Sequence, residues 1–101
     1  MSYVYLWRFV VRSGSEAAFE AAYGPEGDWV GLFRQADGYL GTELLRDQAR
    51  PRTYVTVDRW SSREAWETFR AARAADWEAI DERCRALTER EEEIGRFEEL
   101  G

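Results

Sequence analysis

The chain has 101 residues and a formal net charge of -6, with 20 acidic residues set against 14 basic ones, all of them arginine. It contains no histidine, lysine or asparagine and one cysteine, Cys84, yet carries five Trp, five Tyr and five Phe. That composition excludes an imidazole base or ligand, a Ser/His/Asp or Cys/His pair, a Schiff-base lysine and an internal disulfide, and the acidic balance disfavours nucleic acid and anionic lipid.

Residues 1–101 read as one domain, whose core removes roughly 60 to 65% of the unfolded chain's surface from water. With one thiol and no imidazole, no zinc or iron–sulfur site is expected. The hydrophobic stretches are short, and Met1 to Arg12 lacks a basic region followed by a small-residue cleavage site. Together with a lone cysteine suited to a reducing compartment, this gives the expectation of a soluble, cytoplasmic protein.

Tyr3 to Arg12 (YVYLWRFVVR) is a run of aromatic and β-branched residues, predicting a strand that Ser13-Gly14 ends. From Ser15 the pattern becomes helical, with Phe19, Ala22 and Tyr23 on one face, until Gly24-Pro25 stops it. After a loop over Gly24 to Gly27, Asp28 is the expected N-cap of a second helix carrying Trp29, Leu32, Phe33 and Ala36, which Asp37-Gly38 closes. Gly38 to Arg46 reads as a second strand, Asp47 to Arg52 as a turn, and Thr53 to Trp60 (TYVTVDRW) as a third strand forming a hairpin with the second.

Ser61-Ser62-Arg63-Glu64 matches a capping box, so a helix is expected to start directly after the third strand and to carry Ala65, Trp66, Phe69 and Ala72 on one side. Helix is then expected to about Glu93, with Trp77, Ile80, Cys84 and Leu87 as its apolar stripe and Glu89 to Glu93 as its solvated end. Ile94 to Phe97 is a candidate final strand. A shift of 47 residues lays Trp7 on Tyr54, Val10 on Val57, Ser15 on Ser62 and Phe19 on Trp66. Two similar strand-to-helix units are implied, and in one sheet they make an α+β, ferredoxin-like antiparallel arrangement with helices on one face.

In the first strand Tyr5, Trp7, Phe9 and Val11 alternate with Val4, Leu6 and Val10, so both faces are apolar and only Arg8 interrupts them. Helices cover one face. The other is expected to pack against a second copy of the chain, giving a homodimer through the sheet faces.

GYLGTELL at Gly38 to Leu45 and YVTVDRWSSREAWETF at Tyr54 to Phe69 resemble the antibiotic biosynthesis monooxygenase-like family of the dimeric α+β-barrel superfamily, and the likeness runs over essentially the whole chain. The resemblance implies oxidation of phenols or quinols by O2 without metal or flavin, the deprotonated substrate supplying the electrons. No cofactor is then required, and a dry pocket with a base suffices. The haem-degrading branch of the same superfamily relies on an Asn, Trp, His set, which this composition excludes. The fold also hosts other chemistry, leaving open a non-catalytic dimeric module that binds a small molecule or only assembles, and a carboxylate-based isomerase or cyclase.

Asp58 and Glu43 are the carboxylates inside otherwise apolar strands and the candidate bases, since burial raises a carboxyl pKa toward the useful range. Alternation places Asp58 with Tyr54, Thr56 and Trp60, and Glu43 with Tyr39, Gly41 and Leu45. The competing account pairs each carboxylate with an arginine such as Arg8 or Arg59, or sets it at the dimer rim. Arg8 and Tyr39 are the candidate orienters of a substrate oxygen. Trp7, Tyr23, Trp29, Phe33, Tyr54, Trp60 and Trp66 are the candidate ring-stacking residues for a small aromatic or hydrophobic ligand, with Trp77 a further one that helical spacing explains equally well as core. Cys84 falls on a buried stripe and reads as inert core.

Overall fold

A computed structural model describes residues 2–101. The elements run β1 (Tyr3–Val11), α1 (Glu16–Tyr23), α2 (Asp28–Phe33), β2 (Tyr39–Arg46), β3 (Thr53–Trp60), α3 (Arg63–Ala72), α4 (Ala74–Cys84), a 3-10 turn (Arg85–Leu87) and β4 (Thr88–Glu98). The four strands form one antiparallel sheet in the order β2-β3-β1-β4, which is the ferredoxin-like α+β arrangement. Among the described residues no helix is long and apolar enough to cross a membrane.

The alternation of β1 and β3 determines what lies between sheet and helices. Register pairs Trp7 with Thr56 and Phe9 with Tyr54, so the bulky side chains of both strands share one face. Phe9, Val11, Tyr54 and Trp60 from that face form a continuous core with Phe19 and Tyr23 of α1, Leu32 and Phe33 of α2, Phe69 of α3 and Ile80 and Cys84 of α4. Cys84 is a buried free thiol. Burial raises its pKa, which keeps it protonated and unreactive.

Three local expectations are corrected. The Ser61 and Glu64 box does not form: Ser62 is the N-cap of α3, its Oγ accepting the Ala65 amide at 3.0 Å. The N-cap of α2 is Gly27, with Asp28 the first helical residue. The largest correction is at the C-terminal end, where helix stops at Cys84 and Thr88–Glu98 is a full strand rather than a charged helix end. Glutamate favours helices, but pairing decides here: β4 runs along β1 from Thr88 opposite Val11 to Glu98 opposite Tyr3, and Arg8 bonds Glu92 at 3.1 Å across the strands.

Gly38 sets how closely α3 approaches the sheet. A Cβ there would stand 2.5 Å from the Ala65 Cβ and 2.8 Å from the Ser61 Oγ. Gly38→Ala is therefore expected to push α3 outward and cost about 1–3 kcal/mol, read as a lowered thermal midpoint. An unchanged midpoint would contradict this packing.

The face away from the helices carries Val4, Leu6, Arg8 and Val10 of β1 beside Val55, Val57 and Arg59 of β3. Its margins expose Leu45 at 48% and Phe97 at 49%. Arg8 with Glu92, and Arg59 with Glu43 and Glu99, are its ion pairs.

Candidate functional site

A cavity of about 410 Å³ opens between the sheet and the helices. One row of residues crosses the sheet beneath it: Thr42 pairs with Asp58, Asp58 with Tyr5, and Tyr5 with Arg96. Thr56, Trp7 and Phe9 extend this floor, and the walls come from Tyr23 of α1, Trp29 and Phe33 of α2, Trp66 and Arg70 of α3 and Trp77 of α4. The rings meet at angles that leave a slot. Tyr5 lies 5.2 Å from Trp66, Trp66 lies 6.3 Å edge-on to Trp77, and Trp77 lies 5.3 Å edge-on to Trp29. A planar ligand can stack on such surfaces.

Asp58 reaches this floor because Thr53–Trp60 alternates strictly, and its neighbours are there because β2 does not. Tyr39 pairs with Trp60 and Gly41 with Arg59, so Leu40 is an extra residue that shifts the phase of β2. Gly41 takes φ 154°, a conformation L side chains rarely adopt. Tyr39 and Thr42, three residues apart, consequently face the helices together. The Thr42 hydroxyl donates to Asp58 Oδ1 at 2.6 Å and shares a 2.6 Å hydrogen bond with the Tyr39 hydroxyl.

Burial lifts the Asp58 pKa from 3.8 to about 6, with the Thr42 bond pulling the other way. Asp58 is thus a carboxylate at neutral pH yet an effective proton acceptor. At the cavity rim, Tyr5 donates its hydroxyl proton to Glu93 at 2.7 Å, and Arg96 donates to the Tyr5 oxygen at 3.1 Å. The Arg96 guanidinium also lies 4.6 Å from the Tyr5 ring and 4.8 Å from Trp66. Burial first, then the Glu93 bond, raises the Tyr5 pKa, so its hydroxyl stays protonated. Glu78, Asp81 and Glu91 line the cavity beside α4 and β4, and burial, with Asp81 adding to it, raises the Glu91 pKa. Among the described residues no three His, Cys, Asp or Glu side chains converge as metal ligands.

Asp58, Trp7, Tyr23, Trp29, Phe33, Trp66 and Trp77 lie together around this space. The other residues singled out in the sequence do not. Glu43 faces away from the helices and accepts from Arg59, because the Leu40 bulge separates its face from that of Tyr39. Arg8 lies on the same outer face, bonded to Glu92. Tyr54 is buried in the core and donates to Glu20 at 2.6 Å, and Trp60 is fully buried between Phe33, Tyr39 and Phe69. Tyr39 touches the site through Thr42 rather than lining the cavity.

Sequence reasoning missed Thr42, Arg96 and Arg70 as site residues. Thr42 was hidden by the bulge, and Arg96, although inside the candidate strand Ile94 to Phe97, by a pairing with Tyr5 that only the sheet register gives. Tyr5 had a visible signal, its shared alternation with Trp7 and Phe9.

The sequence matches the family model described as antibiotic biosynthesis monooxygenase over residues 2–82. No curated protein matches the chain. Among solved structures, SnoaB from Streptomyces nogalater, a cofactor-independent oxygenase, aligns with TM-score 0.74 at 24% identity, over 99% of this chain and 94% of its own. PA3566 from Pseudomonas aeruginosa aligns with TM-score 0.70 at 14% identity, over 99% and 95%. A NIPSNAP family protein from Agrobacterium tumefaciens aligns with TM-score 0.73 at 14% identity, over 99% and 94%. At these identities the structural likeness is one of fold.

Proposed function

Since the chain belongs to the antibiotic biosynthesis monooxygenase family, we propose that it is a cofactor-independent monooxygenase oxidising a small phenolic or quinol-type aromatic with O2. The observation that carries this reading is Asp58, a carboxylate poised near pH 6 on the floor of an aromatic slot. Asp58 removes a proton from the bound ring, at oxygen or at an activated ring carbon. The resulting anion, held against the aromatic wall that includes Trp66 and Trp77, gives one electron to O2, and the two radicals join in a carbon–oxygen bond. Asp58 returns its proton to the peroxide. Loss of water across the oxygen–oxygen bond then leaves a carbonyl, so a ring CH2 plus O2 becomes C=O plus H2O.

The protein's part is to stack the ring, accept and return the proton and exclude bulk water. Oxygen consumption with a panel of hydroquinones and anthrones tests this. Uptake of one O2 per quinone formed, with water and not H2O2 as the other product, supports it, and no uptake across the panel overturns it.

The same reading pairs two chains through the outer sheet face, where Val4, Leu6, Val10, Val55 and Val57 alternate with the core-facing Phe9, Tyr54 and Trp60. Sedimentation at micromolar concentration is expected to give twice the mass of one chain. A single-chain mass would count against the pairing.

A further inference from the structure

Resting on the assignment of Asp58 as the base, we propose that Tyr39, Thr42 and Asp58 form a proton conduit from the cavity floor to the exterior at the β2 edge of the sheet. Asp58 can then exchange its proton with solvent while a substrate still fills the cavity.

The direction of the chain follows from counting protons. Thr42 has a single hydroxyl proton and, with Asp58 ionised, gives it to Oδ1 at 2.6 Å. The 2.6 Å contact with Tyr39 must then be donated by Tyr39. Both hydroxyls point toward the carboxylate, and Oδ2 is left for substrate. Thr42 and Asp58 line the cavity and Tyr39 does not. Tyr39 begins the edge strand of the sheet and is only partly buried. The chain therefore leads away from the space a ligand fills.

The bulge makes the same point independently. In a regular strand, residues three apart lie on opposite faces. The extra Leu40 and the unusual φ of Gly41 turn Tyr39 and Thr42 to one side, which is what joins them into a chain. When Asp58 has taken a proton from substrate, its carboxyl turns to present that proton to Thr42 and the two hydroxyls rotate to point outward. Asp58 then donates to Thr42, Thr42 passes its own proton to Tyr39, and Tyr39 releases one to water. One proton enters at the carboxylate and one leaves at the phenol, no electron moves, and both hydroxyls end pointing toward the carboxylate as at the start. A stacked ligand blocks the direct route through the cavity, so this side exit is the one that remains open.

The test is anaerobic exchange of the methylene protons of anthrone in D2O, followed by NMR with wild type, Thr42→Val, Thr42→Ser and Tyr39→Phe. Anthrone binding is measured in parallel by tryptophan fluorescence. Wild type is expected to exchange the protons faster than buffer. Thr42→Val and Tyr39→Phe are expected to slow exchange by about tenfold or more with anthrone still bound, and Thr42→Ser to restore it.

Wild-type rates in Tyr39→Phe, or failure of Thr42→Ser to recover exchange, would overturn the conduit, as would a wild type that binds anthrone without exchanging its protons. Oxygen takes no part in this measurement. A wild type that exchanges protons but consumes no O2 would overturn the oxygenase reading and leave the conduit standing.

Discussion

Asp58→Asn is expected to lower oxidation of an anthrone or hydroquinone by about 10²–10⁴-fold, the usual contribution of a positioned base. The amide keeps the shape and can still accept from Thr42, so the loss isolates proton transfer from packing. In wild type the rate should fall as pH drops through about 6, where Asp58 takes up its proton. The same substitution is expected to make the fold more stable at neutral pH. Burial raises the folded-state pKa from 3.8 to about 6, so ionising Asp58 costs the folded state on the order of 3 kcal/mol once the pH exceeds both values.

Below about pH 4 the carboxyl is protonated whether the chain is folded or not, and that cost vanishes. Wild type should thus lose ground to Asp58→Asn as pH rises from about 4 to 6, and thermal melts at pH 4 and pH 8 measure the gap. Full activity in the variant, or a variant less stable than wild type at pH 8, would show that Asp58 is an ordinary structural carboxylate.

Trp60→Ala is expected to cost about 3–5 kcal/mol and to lower the thermal midpoint by roughly 15 °C or more. Trp60 is fully buried, with Phe33 at 5.5 Å, Tyr39 at 5.4 Å and Phe69 at 5.5 Å between ring centroids. Removing it takes away the surface on which α2, α3 and the start of β2 meet. The hole is lined by rings that cannot collapse into it without leaving their own partners, which places the cost at the upper end for a core truncation. Total stability for a domain of this kind is about 5–15 kcal/mol, so much of it rests on this one side chain. Denaturant unfolding of the purified variant measures the loss, and a change under 1 kcal/mol would mean that the core is not organised around it.

Strand alternation made most of the fold legible. Tyr5, Trp7 and Phe9 announce one face of β1, and Thr56, Asp58 and Trp60 the matching face of β3, so the sheet and the side facing the helices follow from the residues themselves. What stayed hidden was wherever a local rule gave way to pairing. Glu43 was placed with Tyr39 because two-residue periodicity cannot register an inserted Leu40. Glu89 to Glu93 read as helix because glutamate has a helical preference, and only the partner strand β1 overrides it. Asp58 could be found because an acid in an apolar strand is conspicuous. Thr42, which tunes it, is an unremarkable residue in an unremarkable place.

The lengthened β4 also governs how the sheet meets its surroundings. It is an outer strand of the order β2-β3-β1-β4, and its free side offers unpaired backbone groups for which another strand would compete. Glu89, Arg90, Glu91, Glu92 and Glu93 stand along it, and a second copy approaching that margin would bring the same crowd of carboxylates with it. On the proposed pairing, repulsion at this border would leave the broad apolar surface as the place of contact, where association would close on itself instead of growing into a ribbon.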